Sequence, residues 1–325
     1  MTPRERFIAA LRRKPLTGRV PHFELVFYLT MEALGKMHPE HRSYRQWDQM
    51  TPREQHLHRR DVAQVLVDSA RKYEHGAIHV RHTIPGGIEQ TIRVVDAIRD
   101  LSGDEFCVLI GGDTTYGIPP GDKMEEWCAW LLENLQEAKR QAAEKVDRSI
   151  AMSQDLRKHG GVDGFALCCD YCFNSGPFLS PALFSEVVTP YLARLIEGYR
   201  ANGFYTVKHT DGNILPILDQ LLEAKPDALH SLDPQAGIDM AEIKRLAGDK
   251  VCLIGNVNCG LLTTGTDEQC VESARYALRH GMPGGGYVFS TSNCIFTGMD
   301  LRRYELILDV WRKEGNYPEP SPKGR

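Results

Sequence analysis

The sequence predicts an α/β chain that closes into a (β/α)8 barrel, and three observations support this fold class. Short apolar segments alternate eight times with longer segments, most of them of helical periodicity, along 325 residues. Alternation of this kind produces parallel strands joined by crossover helices. The chain also has no Gly-x-Gly-x-x-Gly turn after its first predicted strand and no phosphate-binding loop, which disfavours the alternative, an open doubly wound sheet.

A helical extension and eight strands follow one another in the predicted order. Residues 2–13 form the extension, because Thr2 suits the N-cap, Pro3 the first helical position and Glu5 a capping box. Each strand is short and mostly apolar, as expected of strands buried on both faces. The predicted strands are residues 20–27, 76–82, 107–113, 164–170, 205–211, 228–233, 251–258 and 287–293.

Helical periodicity fills most of the intervals between these strands. The predicted helices are residues 51–73, 123–158, 185–201, 213–224, 239–246, 267–280 and 299–311. The third of them ends at Asn202-Gly203, which is typical of a helix C-terminus. We expect one barrel domain over residues 1–325, with the Pro- and Lys-rich segment 317–325 as a flexible tail.

Composition argues against several function classes. Lys and Arg number 39 and Asp and Glu 43, for a net charge of −4, and no basic stripe suggests nucleic-acid binding. No apolar run approaches the ~20 residues of a membrane span, and the N-terminus lacks the apolar core of a signal peptide. Nine irregularly spread cysteines indicate reduced thiols. We therefore expect a cytoplasmic enzyme that binds neither nucleic acid nor membrane.

All eight predicted strands end in ionisable or amide side chains. These residues are Glu24, His79, His82, Asp113, Asp170, His209, Asp211, His230, Asp233, Asn256, Asn258, Asn293 and Cys294. The carboxyl ends of barrel strands build the active site, so we expect a polar, acidic mouth rich in metal-binding side chains. Arg81 and Lys208 lie close by, but no cation ends a strand. A neutral or singly charged substrate is therefore expected, unless loop residues such as Arg42 reach in.

The sharpest pair of candidate residues lies on the fifth predicted strand. Alternation places His209 and Asp211 on one face, about 7 Å apart, where they could bind one metal ion or form an acid/base pair. A buried histidine bonded to its neighbour is the structural alternative. Cys294 ends the eighth strand, which is expected across the mouth, and its thiolate would complete a zinc site. Packing as a small apolar residue is the alternative for this cysteine.

Four sequence motifs resemble one known family. They are Thr2-Pro3-Arg4-Glu5-Arg6-Phe7 with Arg19-Val20-Pro21, Gly176-Pro177-Phe178-Leu179-Ser180-Pro181, His209-x-Asp211-Gly212-Asn213, and Gly255-Asn256-Val257-Asn258. In this order, over residues 2–311, they resemble the uroporphyrinogen decarboxylase superfamily. The resemblance implies a (β/α)8 barrel, the fold that the strand count predicts independently.

The resemblance favours one of two branches of that superfamily. True decarboxylases carry an arginine-rich segment after the first strand that binds the carboxylates of a tetra-anionic porphyrin precursor. Here residues 23–30 contain no arginine, and Glu24 would repel such a substrate. The chain therefore resembles the other branch, the zinc methyltransferases that act with corrinoid proteins.

This branch implies a zinc ion and a protein partner. Members that methylate coenzyme M hold zinc with His-x-Cys on the fifth strand and a distant Cys; the matching residues here are His209, Asp211 and Cys294, with Glu24 as a fourth ligand. A carboxylate in place of a thiolate makes the ion more Lewis-acidic and suited to polarising an oxygen. The implied reaction is O-demethylation of a small donor, for instance a methoxylated aromatic, with the cobalamin of a separate corrinoid protein as acceptor. The reverse direction would use the same residues.

Further site residues follow from this interpretation. His209 and Asp211 would take part in catalysis, and His79 or His230 would protonate the leaving oxygen. The expected substrate-binding residues are Asp113, Asp170, Asn174, Asn256, Tyr171 and Phe27. Two other classes remain open, a metal-free decarboxylase or lyase and a non-catalytic corrinoid- or metal-binding protein. The oligomeric state is also open, with a homodimer as one option.

Overall fold

The computed structural model describes residues 1–318 as an α/β barrel. Its strands are β1 (Gly18–Arg19), β2 (Ala77–Val80), β3 (Cys107–Gly111), β4 (Gly164–Cys168), β5 (Cys172–Phe173), β6 (Gly176–Pro177), β7 (Tyr205–Thr210), β8 (Ala228–Ser231), β9 (Cys252–Ile254), β10 (Tyr287–Val288) and β11 (Asn316–Tyr317). Seven of them form one parallel sheet in the order β10-β9-β8-β7-β4-β3-β2. Neighbouring strands in this sheet are connected through helices, as the alternating pattern predicts.

Helices follow most strands of the sheet. They are α1 (Pro3–Leu11), α2 (Thr30–Leu34), α3 (Pro52–Lys72), α4 (Gly87–Ser102), α5 (Met124–Glu133), α6 (Leu135–His159), α7 (Pro181–Val187), α8 (Thr189–Ala201), α9 (Leu218–Glu223), α10 (Met240–Ala247), α11 (Leu261–Thr264), α12 (Asp267–Gly281) and α13 (Leu301–Glu314). Within residues 1–318, no helix is long and apolar enough to cross a membrane.

Residues 20–27 close the sheet into a barrel. His22 makes parallel bridges to His75 on one side and to Phe289 on the other. The amide of Gly76 donates to the carbonyl of His22 at 2.7 Å, and the amide of Phe23 donates to that of Phe289 at 3.1 Å. This segment therefore lies between β2 and β10, in the place of the eighth strand, and the predicted (β/α)8 fold is confirmed.

One apolar layer fills the inside of the barrel, and a second packs the helices against the outer face of its strands. The inner layer consists of small and medium side chains that alternate along the strands, including Leu109, Val207 and Ile254. Phe7 and Leu11 of α1 join this layer, so the predicted N-terminal helix packs against the barrel interior. Its capping box is present, since the Glu5 amide donates to the Thr2 hydroxyl at 3.1 Å.

The structure differs from the sequence prediction at several elements. The predicted helix 123–158 is two helices, α5 and α6, that meet at Asn134. Helix α4 was not predicted. Tyr317, assigned above to the tail, instead belongs to β11 and pairs with Gly18. Residues 319–325 of the predicted tail lie outside the described residues.

Candidate metal centre

The carboxyl ends of β4 and β7 bring three metal-binding side chains together. The two strands pair with Cys168 opposite His209, so the residues that follow them emerge side by side at the barrel mouth. One ligand atom from each of Asp170, His209 and Asp211 lies within 4.8 Å of the other two. His209 Nε2 is 3.9 Å from Asp170 Oδ1 and 3.8 Å from Asp211 Oδ1. Two acids and an imidazole from neighbouring strands thus surround one point.

These three residues fit a divalent metal ion. Zinc with bonds of about 2.1 Å in tetrahedral geometry holds its ligand atoms about 3.4 Å apart, so a small side-chain movement would suffice here. An imidazole and two carboxylates form a donor set that zinc accepts. His209 is buried, whereas the Asp170 side chain is about half exposed, which leaves the point accessible from the mouth.

Asp211 is held by side chains from two further strand ends. Its Oδ1 lies 2.7 Å from the Ser231 hydroxyl, whose single hydrogen is shared with the Ser292 carbonyl at 2.6 Å, and its Oδ2 accepts from Asn293 Nδ2 at 2.6 Å. The Asn293 amide cannot be turned around, because its Oδ1 accepts from the Cys294 backbone amide at 2.7 Å. Burial raises the pKa of Asp211 to about 6, and the nearby Asp170 adds to this rise, while both hydrogen bonds oppose it.

The backbone around Asp211 is tightly constrained at three positions. Gly212 has a φ of +82°, and a Cβ there would lie 2.5 Å from the Cys172 carbonyl oxygen. Ser231 and Leu232 also have positive φ values, +89° and +53°, which are rare for residues with a side chain. Strained backbone of this kind concentrates at functional sites, where the surrounding structure over-determines it.

Two buried histidines form a short contact beneath the cluster. His209 Nδ1 lies 2.8 Å from His230 Nδ1, on the paired strands β7 and β8. Burial lowers the pKa of His209 to about 3, with a further contribution from Lys208, and burial also lowers the pKa of His230. Both imidazoles are therefore neutral at pH 7, which is the form that binds metal ions.

His79 lies near this pair, and neither of its ring nitrogens makes a hydrogen bond to any of residues 1–318. Burial lowers the pKa of His79 to about 3. The ring lines a cavity of about 40 Å³ together with Glu24 and His75. His79 is thus a buried, neutral imidazole in a cavity whose lining does not include Asp170, His209 or Asp211.

The predicted metal ligands Glu24 and Cys294 are not members of the three-residue cluster. The Glu24 carboxylate is buried and lies 2.6 Å from the Thr291 hydroxyl and 3.3 Å from His22 Nε2. Cys294 is buried, and burial raises the pKa of its thiol. The eighth-strand end does reach the site, as expected, but through Asn293.

Asp113 and Tyr171, predicted to bind substrate, belong to a buried polar cluster. Asp113 Oδ2 lies 2.8 Å from the Lys208 ammonium, which also donates to the carbonyls of Leu167 and Cys169. The same ammonium lies 4.0 Å from the centre of the Tyr171 ring. The charge of Asp113 is therefore neutralised within the protein.

Of the three other predicted substrate residues, two are buried and one is exposed. Phe27 packs in the core against Tyr73 and Tyr304, with ring centres 4.8 and 5.2 Å away. Asn256 is buried and donates to the carbonyls of Leu232 and Ile238. Asn174 is exposed in the turn between β5 and β6. Of the predicted substrate residues, Asp170 alone is part of the three-residue cluster.

Cations near the mouth are paired with acidic groups. Arg81 lies 3.6 Å from a Glu40 carboxylate oxygen and donates to the Tyr28 hydroxyl at 3.3 Å. Arg42 pairs with Asp61. Lys208 pairs with Asp113, as described above. The charges of these three cations are therefore balanced by neighbouring carboxylates.

The fold and the site together define a (β/α)8-barrel protein with a candidate metal centre at the carboxyl ends of its strands. Residues 115–313 match the family model described as uroporphyrinogen decarboxylase (URO-D), which is more than half of the chain. The chain therefore belongs to the URO-D family, as its motifs predicted.

Two curated relatives carry the same family name. "Uroporphyrinogen decarboxylase" of Thioalkalivibrio sulfidiphilus (strain HL-EbGR7) is 27% identical over 150 residues, which cover 43% of this chain and 40% of the relative. "Uroporphyrinogen decarboxylase" of Saccharophagus degradans (strain 2-40 / ATCC 43961 / DSM 17024) is 25% identical over 224 residues, which cover 64% of this chain and 60% of the relative. The matched parts thus span less than two thirds of either relative.

Solved structures share the fold at low sequence identity. A methyltransferase from Methanosarcina mazei superposes with a TM-score of 0.73 at 16% identity and covers 96% of this chain and 99% of its own. A GH5_18 protein from Streptomyces cattleya gives a TM-score of 0.51 at 11% identity, over 93% of this chain and 83% of its own. At these identities the likeness concerns the barrel fold.

Proposed function

We propose that this protein is a metal-dependent methyltransferase that moves a methyl group between a small substrate and the cobalamin of a separate corrinoid protein. The convergence of Asp170, His209 and Asp211 at the barrel mouth is the observation that carries this proposal. The fold shared with a methyltransferase over nearly the whole chain is consistent with it. We further propose zinc as the metal, a methoxylated aromatic as one candidate donor, and a cytoplasmic location.

His209 Nε2 and the carboxylates of Asp170 and Asp211 would hold the ion, with Cys294 as a candidate fourth ligand. When bound, the metal would supply the Lewis acidity that polarises the oxygen bonded to the methyl group. Ser231 and Asn293 keep both oxygens of Asp211 in place, so this ligand needs little reorganisation. Glu24 is not proposed as a ligand, since its buried carboxylate lies against Thr291 and His22 and is not a member of the three-residue cluster.

A proton is needed once the methyl group has left. The reduced corrinoid of the partner protein would form the new bond to the methyl carbon with its own electron pair, the pair of the broken C–O bond would go to oxygen, and that oxygen would take one proton from water. His79 is the candidate to stabilise that oxygen, because its ring nitrogens lack hydrogen-bond partners among residues 1–318. His230 is not, because it is 1% exposed and its Nδ1 is engaged by His209.

A metal-free decarboxylase is the second candidate, and the names of the two curated relatives favour it. The charges of the site speak against a tetra-anionic substrate. Glu24 places a carboxylate in the segment 20–27 that closes the barrel. Lys208 is paired with Asp113, and Arg81 is paired with Glu40. Recognition of several carboxylates requires unpaired guanidinium or ammonium groups.

One experiment separates the two candidates. The protein is incubated with a methoxylated aromatic and a reduced corrinoid protein, and methyl transfer is followed by the absorbance change of the cobalamin. We expect transfer that a chelator abolishes, that zinc restores, and that His209→Ala and Asp170→Ala lose. Asp96→Ala is the matched control, because this carboxylate pairs with His159 on the surface. In a parallel incubation with uroporphyrinogen and chelator, release of CO2 would instead identify a decarboxylase.

A further inference from the structure

The contact between His209 and His230 contains a single hydrogen. Two ring nitrogens at 2.8 Å form a hydrogen bond only if one carries a proton and the other offers a lone pair. The contact therefore has two forms. Either His209 donates from Nδ1 and its Nε2 is bare, or His230 donates and the proton of His209 sits on Nε2.

We propose that His230 is a positioning residue that holds His209 as the Nδ1–H tautomer and so leaves Nε2 free for a metal ion. The inference rests on the proposed metal centre for its purpose. Its geometric basis, the short contact between the two rings, does not depend on a metal.

The hydrogen-bond chain beyond His230 favours the same direction. The Glu24 carboxylate accepts from the Ser290 hydroxyl at 3.4 Å, and the Ser290 oxygen lies 3.4 Å from His230 Nε2. A hydroxyl that donates to Glu24 offers its lone pairs to His230, which must then carry its proton on Nε2. His230 Nδ1 is consequently the acceptor for His209. The short histidine pair fixes that the two rings share one hydrogen, and the direction follows from the two outer contacts and from the surroundings of His209 Nε2.

The opposite tautomer gains no hydrogen bond from the acids at the mouth. A proton on His209 Nε2 would face the Oδ1 atoms of Asp170 and Asp211 at 3.9 and 3.8 Å, beyond hydrogen-bond distance. It would also occupy the lone pair that a metal ion needs. The hydrogen-bond series from Glu24 to His209 therefore resembles the carboxylate–histidine–metal arrangement that orients metal-bound histidines. Ser290 and His230 stand between the carboxylate and His209.

Two amide variants form a matched test. In His230→Asn the side-chain oxygen can take the place of Nδ1, whereas in His230→Gln the amide takes the place of Nε2. We expect His230→Asn to bind zinc within about threefold of the wild type, and His230→Gln to bind about 10–100-fold more weakly, as for other residues that orient metal ligands. Zinc affinity is measured by competition with a chromophoric chelator, and thermal unfolding reports whether each variant folds.

A second readout needs no variant and no bound metal. Two-bond 15N–1H correlation spectra of the metal-free wild type report which ring nitrogen of His209 carries the proton, and we expect Nδ1. A proton on Nε2, or equal zinc affinity in both amide variants and the wild type, would overturn the inference. If the wild type binds no zinc although His209 is the Nδ1–H tautomer, the proposed function fails while the role of His230 stands.

Discussion

Replacing Lys208 with Met removes the ammonium that neutralises the buried carboxylate of Asp113. The Lys208 side chain is fully buried, and its ammonium donates to Asp113 at 2.8 Å and to the carbonyls of Leu167 and Cys169 at 3.1 and 2.9 Å. Methionine has a similar volume, so the change removes charge and hydrogen bonds with little change in packing. Asp113 would keep its two hydrogen bonds from Thr115.

The structure sets the size of the expected loss. Removing one partner of a buried ion pair costs about 3–5 kcal/mol, because the other charge stays buried without compensation. Burial works against the carboxylate, and the Lys208 ammonium is what keeps the pKa of Asp113 below its usual value. The wild-type pair therefore stabilises the fold above the unfolded-state pKa of Asp113, and this stabilisation is lost as the pH falls through the lower folded-state value. In the variant, the unpaired carboxyl can take up a proton, so the destabilisation shrinks towards pH 4.

Urea unfolding followed by circular dichroism measures this effect. We expect the free energy of unfolding of Lys208→Met to be about 3–5 kcal/mol lower at pH 7 and closer to the wild type at pH 4. The double variant Lys208→Met/Asp113→Asn is the control, and it should recover part of the loss because no charge remains buried. A loss below about 1 kcal/mol at pH 7 would refute the view that this pair is a structural ion pair.

Three further predictions concern the mouth. Zinc affinity should fall about tenfold per pH unit below pH 6, because Asp211, with a pKa of about 6, must lose its proton to bind the ion. Chelator competition measures this affinity, and an affinity that does not change with pH would contradict the prediction. Asn293→Ala removes the hydrogen bond that holds Oδ2 of Asp211, so this ligand loses its orientation and the zinc affinity at pH 7 should fall about 10–100-fold while the thermal midpoint changes little. Gly212→Ala should destabilise the fold by more than about 2 kcal/mol in urea unfolding, because the new Cβ meets the Cys172 carbonyl. Gly237→Ala is the control: its φ is also +82°, but the space around it is open, so it should cost about 1 kcal/mol.

Strand positions were largely predictable from the sequence, whereas strand ends were not. The predicted starts at 107, 164, 205, 228 and 287 coincide with those of β3, β4, β7, β8 and β10. The seven predicted strands after segment 20–27 run beyond the observed ones, since neighbouring strands separate at the mouth and stop pairing. The predicted strands were extended to their polar end residues, and residue types alone do not mark where the hydrogen bonds between strands end.

Helix α4 shows why a helix with a clear apolar face escaped prediction. It begins after Gly86, whose φ of +113° suits glycine, and none of the described side chains caps its first turn. Without Ser, Thr, Asp or Asn at that position, the start signal is absent. The buried face of Thr91, Val94 and Ile98 repeats at helical spacing and could have identified it.

The residue types of the site were predicted, but their partners were not. His209 and Asp211 were expected to meet Cys294 across the mouth, and Asp170 was expected to bind substrate. The register of β4 against β7 instead places Asp170 beside His209. Inter-strand register depends on packing between distant segments, which a single sequence does not display. Ser231 reaches the site through a second register, that of β7 against β8.

The zinc content of chelator-free protein tests the central claim most directly. Wild type, His209→Ala and the surface control Asp96→Ala are purified, incubated with zinc, desalted and analysed by mass spectrometry for metal per chain. A single site made by Asp170, His209 and Asp211 predicts about one zinc per chain in the wild type and the control, and almost none in folded His209→Ala. A zinc-free wild type, or equal zinc in all three proteins, would contradict a metal centre at the barrel mouth.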